Sequence, residues 1–186
     1  MNVFDFDQTI YRGDTGRDFY QFVLRRYPKL WWRAPRALVA AAGFGLKILS
    51  SRQFKDNFYP AFFPYIDVER EAKAFWKERN GRIEEWYLGM KQPNDVVTTA
   101  SPECLVRPIT EMLGVRMIGA EVDVKTGKLT GRNNKRDEKV PNFYEQFPGA
   151  VIEKFYSDSR SDDPMAAEAK KAFLVRGKKI LPWPKD

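Results

Sequence analysis

The chain of 186 residues contains no histidine and a single cysteine, Cys104. The absence of histidine excludes catalytic triads built on an imidazole, histidine-ligated zinc and imidazole acid–base chemistry. Any acid–base work must therefore fall to carboxylates, lysine, tyrosine or water. One cysteine cannot form an internal disulfide, which fits a reducing compartment.

Long apolar runs are also missing. The longest uncharged apolar stretch in the first half, from Ala37 to Leu46, has ten residues, whereas a helix needs about 20 to cross a bilayer. Asp5 and Asp7 interrupt any apolar run at the start, so we expect no secretory signal peptide. These absences predict a cytoplasmic protein that is soluble or bound peripherally at the inner face of the membrane.

Acidic residues are scarce between residues 11 and 55. Only Asp14 and Asp18 oppose ten basic residues there, so this segment carries +8 while the whole chain carries +7. Such a charge suggests that an anionic substrate or an anionic surface meets this region. A nucleic-acid-binding module is an interpretation of another class, but no recognised nucleic-acid motif accompanies the charge and we do not expect that partner.

Residues 30–50, within the basic segment, are apolar and rich in tryptophan. One interpretation is a helix that packs on its neighbours. The other is an interfacial helix on anionic lipid, with tryptophans at headgroup level and basic residues outward. The sequence leaves both open.

The order of patterns predicts an α/β fold. Strands and helices alternate after residue 95, which is typical of a doubly wound (Rossmann-like) parallel sheet. Residues 13–90 are almost entirely helical in pattern, so we predict an all-helical cap inserted after a first strand over residues 2–10. The predicted core is residues 1–12 plus 91–186, and the predicted cap is residues 13–90.

Polar side chains are predicted at the carboxyl ends of the strands, where ligands bind in such sheets. Asp5 and Asp7 are two apart and would share one side of the first strand. Their mutual repulsion in a buried sheet needs a cation or another partner to compensate it. The other polar groups predicted at this edge are Thr98 or Thr99, Lys139, and the acidic loop at 157–163.

This set of groups is what phosphoryl transfer requires. A carboxylate nucleophile and a phosphate dianion repel each other, and a hard cation with oxygen ligands, such as Mg²⁺, bridges them. A lysine and a hydroxyl with neighbouring main-chain N–H groups then hold the phosphoryl oxygens. Taken one by one, the groups also have plain structural interpretations: Lys139 lies in a charge run, and Asp158 and Asp162 fit turn or helix-cap positions.

Four motifs resemble, in the same order, those of the haloacid dehalogenase superfamily: DFDQT at 5–9, TASP at 99–102, Lys139, and DSRSD at 158–162. The best match is the phosphoserine-phosphatase-like subfamily, which has a helical cap after the first strand. The resemblance implies that Asp5 is the nucleophile that forms an aspartyl-phosphate. It implies that Asp7 protonates the leaving oxygen and then activates water.

The resemblance also implies the binding groups. Thr99, Ser101 and Lys139 would bind the phosphoryl group. Mg²⁺ would be the cofactor, held by Asp158, by Asp5 and by the carbonyl of Asp7. Thr9 and Asp162 would support this set, and Asp163 is an alternative to Asp162.

The predicted cap departs from that of phosphoserine phosphatases. Residues 11–55 lack their acidic substrate-amine residue and downstream arginine pattern, which argues against phosphoserine. In character the cap is similar to that of the subfamily's phosphatidylglycerophosphate phosphatases. We therefore expect a Mg²⁺-dependent phosphatase for a small or amphiphilic phosphomonoester. The alternative is a lipid-phosphate phosphatase that contacts the membrane surface through residues 30–50.

Overall fold

The structure, a computed structural model, describes residues 1–184. Its centre is a six-stranded sheet. The strands are β1 (Asn2–Phe4), β2 (Val96–Pro102), β3 (Arg116–Ala120), β4 (Ile152–Ser157), β5 (Ala169–Arg176) and β6 (Lys179–Pro182). Their order across the sheet is β3-β2-β1-β4-β5-β6. All neighbours pair in parallel except β5 and β6, which are antiparallel.

The described α-helices divide into two groups along the chain. Between β1 and β2 lie α1 (Thr15–Arg26), α2 (Ala34–Gly45), α3 (Ser51–Phe58), α4 (Val68–Arg79) and α5 (Glu85–Leu88). After β2 come α6 (Glu103–Leu113), α7 (Lys139–Gln146) and α8 (Asp163–Ala167). Short 3₁₀ helices connect several of them, including one over Pro28–Arg33.

Successive residues of β1 point to opposite faces of the sheet, as the strand period requires. Val3 packs in a buried cluster with Phe143 of α7 and Met165 of α8. Phe4 packs in the other cluster, with residues of α1, α4 and α6 such as Leu105. Helices therefore cover both faces, and the prediction of a doubly wound parallel sheet with an inserted helical segment is confirmed.

The prediction that the first strand runs over residues 2–10 is wrong. β1 ends at Phe4 because the chain then turns: the main-chain N–H groups of Thr9, Ile10 and Tyr11 all donate to the carbonyl oxygen of Phe6. Asp5 and Asp7 therefore lie in the turn that leaves the strand. They do not share one side of an extended strand.

Two other boundaries have clear local causes. α8 ends at Ala167, and β5 begins at Ala169 because this stretch pairs with β4 from Ile152 onward. The N-cap of α3 is Ser50, whose side chain forms a reciprocal capping box with that of Gln53.

The inserted segment leaves and re-enters the core at adjacent points. The N–H of Arg12 donates to the carbonyl of Arg82, and the N–H of Glu84 donates to that of Ile10. One buried cluster continues from the core into the insertion, and Trp76 Nε1 of α4 donates to the Leu105 carbonyl of α6 at 2.6 Å. The division into a core and a cap at residues 13 and 90 stays a prediction, and the last two residues of the predicted core, 185–186, lie outside the described residues.

Within residues 1–184, none of the helices combines the length and the apolar character that crossing a membrane would require.

Candidate active site

The turn after β1 positions Asp5. Its main-chain N–H donates to the carbonyl of Tyr156, which continues the pairing of β1 with β4. Its carboxylate accepts hydrogen bonds from Lys139 Nζ at 2.7 Å and from Thr9 Oγ1 at 3.3 Å. Thr9 Oγ1 in turn accepts from the N–H of Asp158 at 2.9 Å, so one hydroxyl joins the ends of two neighbouring strands.

Lys139, the first residue of α7, is 2% exposed, so it does not belong to a solvated charge run. Its ammonium also donates to Asp162 Oδ2 at 2.8 Å. Burial raises the pKa of Asp5 to about 7; Lys139 opposes that rise, whereas the charges of Asp162 and Asp158 add to it. Burial disfavours the charged form of Lys139, but the carboxylates of Asp5 and Asp162 outweigh this and raise its pKa.

The carboxylate of Asp7 is held at the N-terminus of α1. Its Oδ1 accepts from the N–H and the hydroxyl of Thr15 at 2.7 and 2.6 Å, and its Oδ2 accepts from Ser101 Oγ at 2.5 Å. Gln8 has φ 58°, a left-handed conformation that non-glycine residues rarely adopt. Burial and the charge of Asp14 raise the pKa of Asp7 to about 6, against the hydrogen bonds that lower it.

The structure separates Thr98 from Thr99. Thr99 lines the cavity above Asp5, and its Oγ1 accepts from the N–H of Ser101 at 3.0 Å. Thr98 Oγ1 instead accepts from the amide of Asn134. That same amide also donates to the carbonyls of Thr99 and Ile118, so Asn134 joins β2 to β3.

Asp162 and Asp163 are separated in the same way. Asp162 is buried and accepts from Lys139 and from Ser157 Oγ. Asp163 accepts from Arg160 and from Trp183 Nε1, away from the cavity. Of the two, Asp162 is the carboxylate that joins the Asp5–Lys139 group.

The donor set fits a magnesium ion. Within residues 1–184, no group of three or more His, Cys, Asp or Glu side chains is arranged to hold a metal. Two carboxylates, those of Asp5 and Asp158, do line the same cavity. Across the described residues no side chain donates a hydrogen bond to the Asp158 carboxylate, and its charge raises the pKa of Asp5. Mg²⁺ binds with only one or two carboxylates plus phosphate and waters.

A cavity of about 750 Å³ rises from these carboxylates. Its upper wall is apolar and comes from the first three inserted helices: Tyr20, Leu24, Ala37, Phe44, Phe54 and Phe58. A cavity of this size accommodates an organic ligand well beyond a phosphate. The arrangement pairs a polar floor with an apolar wall.

Sequence reasoning missed two residues at the site, Thr15 and Asn134. Thr15 has the sequence pattern of a helix start, and nothing in one sequence indicates that Asp7 turns towards it. Asn134 has φ 51°. Asparagine tolerates this conformation better than most residues, so the Asn133–Asn134 pair is the sequence signal for it.

Comparisons with known proteins agree with this geometry. The haloacid dehalogenase-like hydrolase family matches residues 3–167. This match covers most of the chain, and the chain belongs to that family of hydrolases. The prediction of an enzyme with the haloacid dehalogenase fold is therefore confirmed. The search of curated proteins gave no match.

Solved structures share the fold at low sequence identity. A protein with unknown function from Bordetella pertussis Tohama I matches with a TM-score of 0.77 at 17% identity, over 92% of this chain and 87% of that one. A phosphoserine phosphohydrolase-like protein from Francisella tularensis subsp. tularensis SCHU S4 matches with a TM-score of 0.63 at 10% identity, over 92% and 86%. An apo phosphoserine phosphatase matches with a TM-score of 0.55 at 17% identity, over 91% and 82%.

Proposed function

We propose that this chain is a Mg²⁺-dependent phosphatase that cleaves phosphomonoesters through an aspartyl-phosphate on Asp5. The observation that carries the proposal is the position of the Asp5 carboxylate at the cavity floor, between Lys139 and Thr9. A buried carboxylate with a free path to a ligand and a fixed cation beside it is suited to nucleophilic attack. The names of two similar structures, which refer to phosphoserine hydrolysis, agree with a phosphomonoesterase.

Asp5 attacks phosphorus: the bond between Asp5 and phosphorus forms as the bond to the leaving oxygen breaks. Asp7 gives its proton to that oxygen. In the second step Asp7 takes a proton from the water that attacks phosphorus, which frees inorganic phosphate and restores Asp5. A pKa of about 6 suits both roles, because a general acid–base works best near the operating pH.

Three side chains would hold the transferred group. The ammonium of Lys139 neutralises part of its charge, while Thr99 and Ser101 offer hydroxyls from β2. The single hydroxyl hydrogen of Ser101 is donated to Asp7, so Ser101 would fix the acid, and it would reach the phosphoryl group only by exchanging this hydrogen bond. Thr9 and Asp162 support the set by holding Asp5 and Lys139 in place.

Asp5, Asp158 and the carbonyl of Asp7 would hold Mg²⁺. Bound there, the ion supplies charge neutralisation between the carboxylates and the phosphate.

The substrate we propose is amphiphilic, and the finer alternative is a lipid phosphate. The cavity wall is apolar, and Trp31 and Leu38 at its rim are 61% and 63% exposed. An alkyl or acyl chain would lie against this wall while its phosphate reaches Asp5. The same rim would let the protein work while bound peripherally at the inner face of the membrane, with residues 30–50 in contact with lipid.

The test is a phosphate-release screen with wild type and Asp5→Asn, with Mg²⁺ or with EDTA. The panel contains an aryl phosphate, phosphoserine, sugar and nucleotide phosphates, short-chain phosphatidic acid and short-chain phosphatidylglycerophosphate. We expect release that disappears with EDTA and in Asp5→Asn. The matched control is Asp163→Asn, which removes a carboxylate outside the cavity. Equal release by wild type and Asp5→Asn would contradict the proposal.

A further inference from the structure

Lys135 is a basic residue of the cavity to which the proposed reaction gives no task. It lines the cavity, and its side chain is half-buried. Within residues 1–184, its ammonium takes part in no hydrogen bond and no ion pair. Two other cavity lysines are occupied: Lys139 by Asp5 and Asp162, and Lys55 by the carbonyl and side-chain oxygens of Asn133.

The main chain on both sides of Lys135 is held in an unfavourable conformation. Asn134 has φ 51° and Arg136 has φ 53°, while Lys135 between them is extended, with φ −126°. Left-handed conformations of non-glycine residues cost free energy and persist where the surroundings fix them. Here the three hydrogen bonds donated by the Asn134 amide do so. The strained backbone places Lys135 in the cavity.

Lys135 lies beside the apolar wall of the cavity. Its Nζ lies 4.4 Å from the centroid of the Phe44 ring, on α2. Lys139, four residues later, contacts Asp5 instead. Lys135 therefore lies against the apolar wall while its charge still interacts with those of Lys139 and Asp162 at the floor, so a ligand that spans floor and wall would pass it between its two ends.

The charges around Lys135 leave it unneutralised. Burial and the nearby charges of Arg136 and Lys139 lower its pKa, and Asp14 and Asp162 oppose this from a distance, without forming an ion pair with it. A half-buried ammonium that lacks a hydrogen-bond acceptor is stabilised by an anionic ligand.

We propose that Lys135 is a specificity residue that binds a second anionic group of the substrate, located in the leaving-group portion between the phosphomonoester and the apolar tail. This proposal rests on the proposed phosphatase function. The second anion is a carboxylate or a phosphodiester; both offer the acceptor oxygens that an ammonium requires. The preferred substrate is then a phosphomonoester with two anionic centres, and an alkyl phosphate with one is a poorer substrate.

The experiment compares matched substrate pairs on wild type, Lys135→Met and Lys135→Arg. Glycerol 3-phosphate against 3-phosphoglycerate tests a carboxylate. Dihexanoyl phosphatidic acid against dihexanoyl phosphatidylglycerophosphate tests a phosphodiester. Methionine keeps an apolar contact with Phe44 but removes the charge, and Lys77→Met, on the exposed face of α4, is the control for losing one positive charge.

We expect Lys135→Met to lower kcat/KM for the doubly anionic member of one pair about 10- to 100-fold relative to its partner, as for a lost charge-assisted hydrogen bond. The loss should be mainly in KM, and Lys135→Arg should restore most of it. Equal losses for both members of both pairs would overturn the proposal, because Lys135 would then act on the phosphoryl group or on folding. So would unchanged ratios in both pairs.

A binding measurement separates this proposal from the proposed function. The same pairs are titrated by calorimetry into Asp5→Asn and into Asp5→Asn with Lys135→Met. Selective loss of affinity for a doubly anionic compound supports the subsite even where wild type releases no phosphate. Equal affinities in the two variants reject the subsite even where wild type is an active phosphatase.

Discussion

The cavity floor and the outer surface of residues 28–49 differ in which side chains they shield from water. At the floor, charged groups are held by short hydrogen bonds out of full contact with water: Asp5 and Lys139 are buried and Asp7 is half-buried. On the outer surface, large apolar side chains face solvent: Trp32 is 73% exposed and Ile48 is 72% exposed. Neither arrangement stabilises the fold. Burying charge costs free energy, and leaving apolar side chains in water gives up the free energy that their burial would contribute.

The difference indicates two separate tasks. The charged groups of the floor lower the stability of the fold but hold a fixed arrangement, which suits chemistry on a phosphate. The outer surface exposes several large apolar side chains, with Arg36 and Lys47 exposed in the same segment, which suits contact with an amphiphilic or anionic partner. The cavity joins the two, because it runs from Asp5 to the rim.

The largest effect is expected from removing the nucleophile. Asp5→Asn keeps the shape and removes the charge that attacks phosphorus. We expect phosphate release to fall by a factor on the order of 10³ or more, and binding to vesicles to stay at the wild-type level. Steady-state kinetics and vesicle sedimentation measure the two effects. A variant that loses both would mean that the floor and the outer surface are not separable.

A smaller effect is expected from Ser101→Ala. It deletes the hydroxyl that donates to Asp7 at 2.5 Å. We expect kcat to fall about 10- to 100-fold, the range for a lost hydrogen bond to a charged group. Urea unfolding should be nearly unchanged relative to wild type. Full activity in Ser101→Ala would show that Asp7 is placed by Thr15 alone.

The outer surface is tested by Trp32→Ser combined with Ile48→Ser, two exposed residues that do not line the cavity. We expect partitioning onto vesicles with anionic lipid to fall about tenfold or more, since each large apolar side chain contributes about 1.5–3 kcal/mol when buried. Cleavage of a soluble aryl phosphate should persist. Met112→Ser, which alters a 61% exposed side chain on α6, is the control. No binding to vesicles by wild type would remove the membrane-surface proposal.

The smallest effect concerns Lys55, which joins α3 to the loop before α7 through Asn133. Burial lowers its pKa from the ordinary 10.5 to about 7, and the charge of Lys135 adds to this. Between these values the unfolded chain binds more protons than the folded one, so this group makes folding more stable as pH rises.

Lys55→Met should therefore be more destabilising relative to wild type near pH 10 than near pH 7, by about 1 kcal/mol or more. Urea denaturation at the two pH values measures it. A penalty that shrinks as pH rises would mean that Lys55 stays charged in its contact with Asn133.

Much of the architecture followed from local pattern. Strand–helix alternation after residue 95 and the helical pattern of residues 13–90 were sufficient for the parallel sheet and its helical insertion. The extent of the first strand was not predictable in the same way, because Phe4 and Phe6 alternate with Asp5 and Asp7 in the period-two pattern of a strand. Its turn depends on three N–H groups that converge on the Phe6 carbonyl and on the left-handed Gln8.

Site residues divide along similar lines. Asp5, Asp7 and Lys139 could be named from motif order, and the structure brings them to one cavity. The choice of Thr99 over Thr98 could not be made, because a one-residue shift in a strand reverses which side chain faces the site. The structure resolves this choice: the Asn134 amide donates a hydrogen bond to the Thr98 hydroxyl, and Thr99 lines the cavity.

The most direct test of the central claim is mass spectrometry of wild-type protein quenched in acid during turnover of its best substrate with Mg²⁺. We predict a fraction of the protein that carries one added phosphoryl group, located in the N-terminal peptide that contains Asp5 and absent in Asp5→Asn. Active turnover with an unmodified N-terminal peptide, or with the phosphoryl group on another residue, would contradict the account.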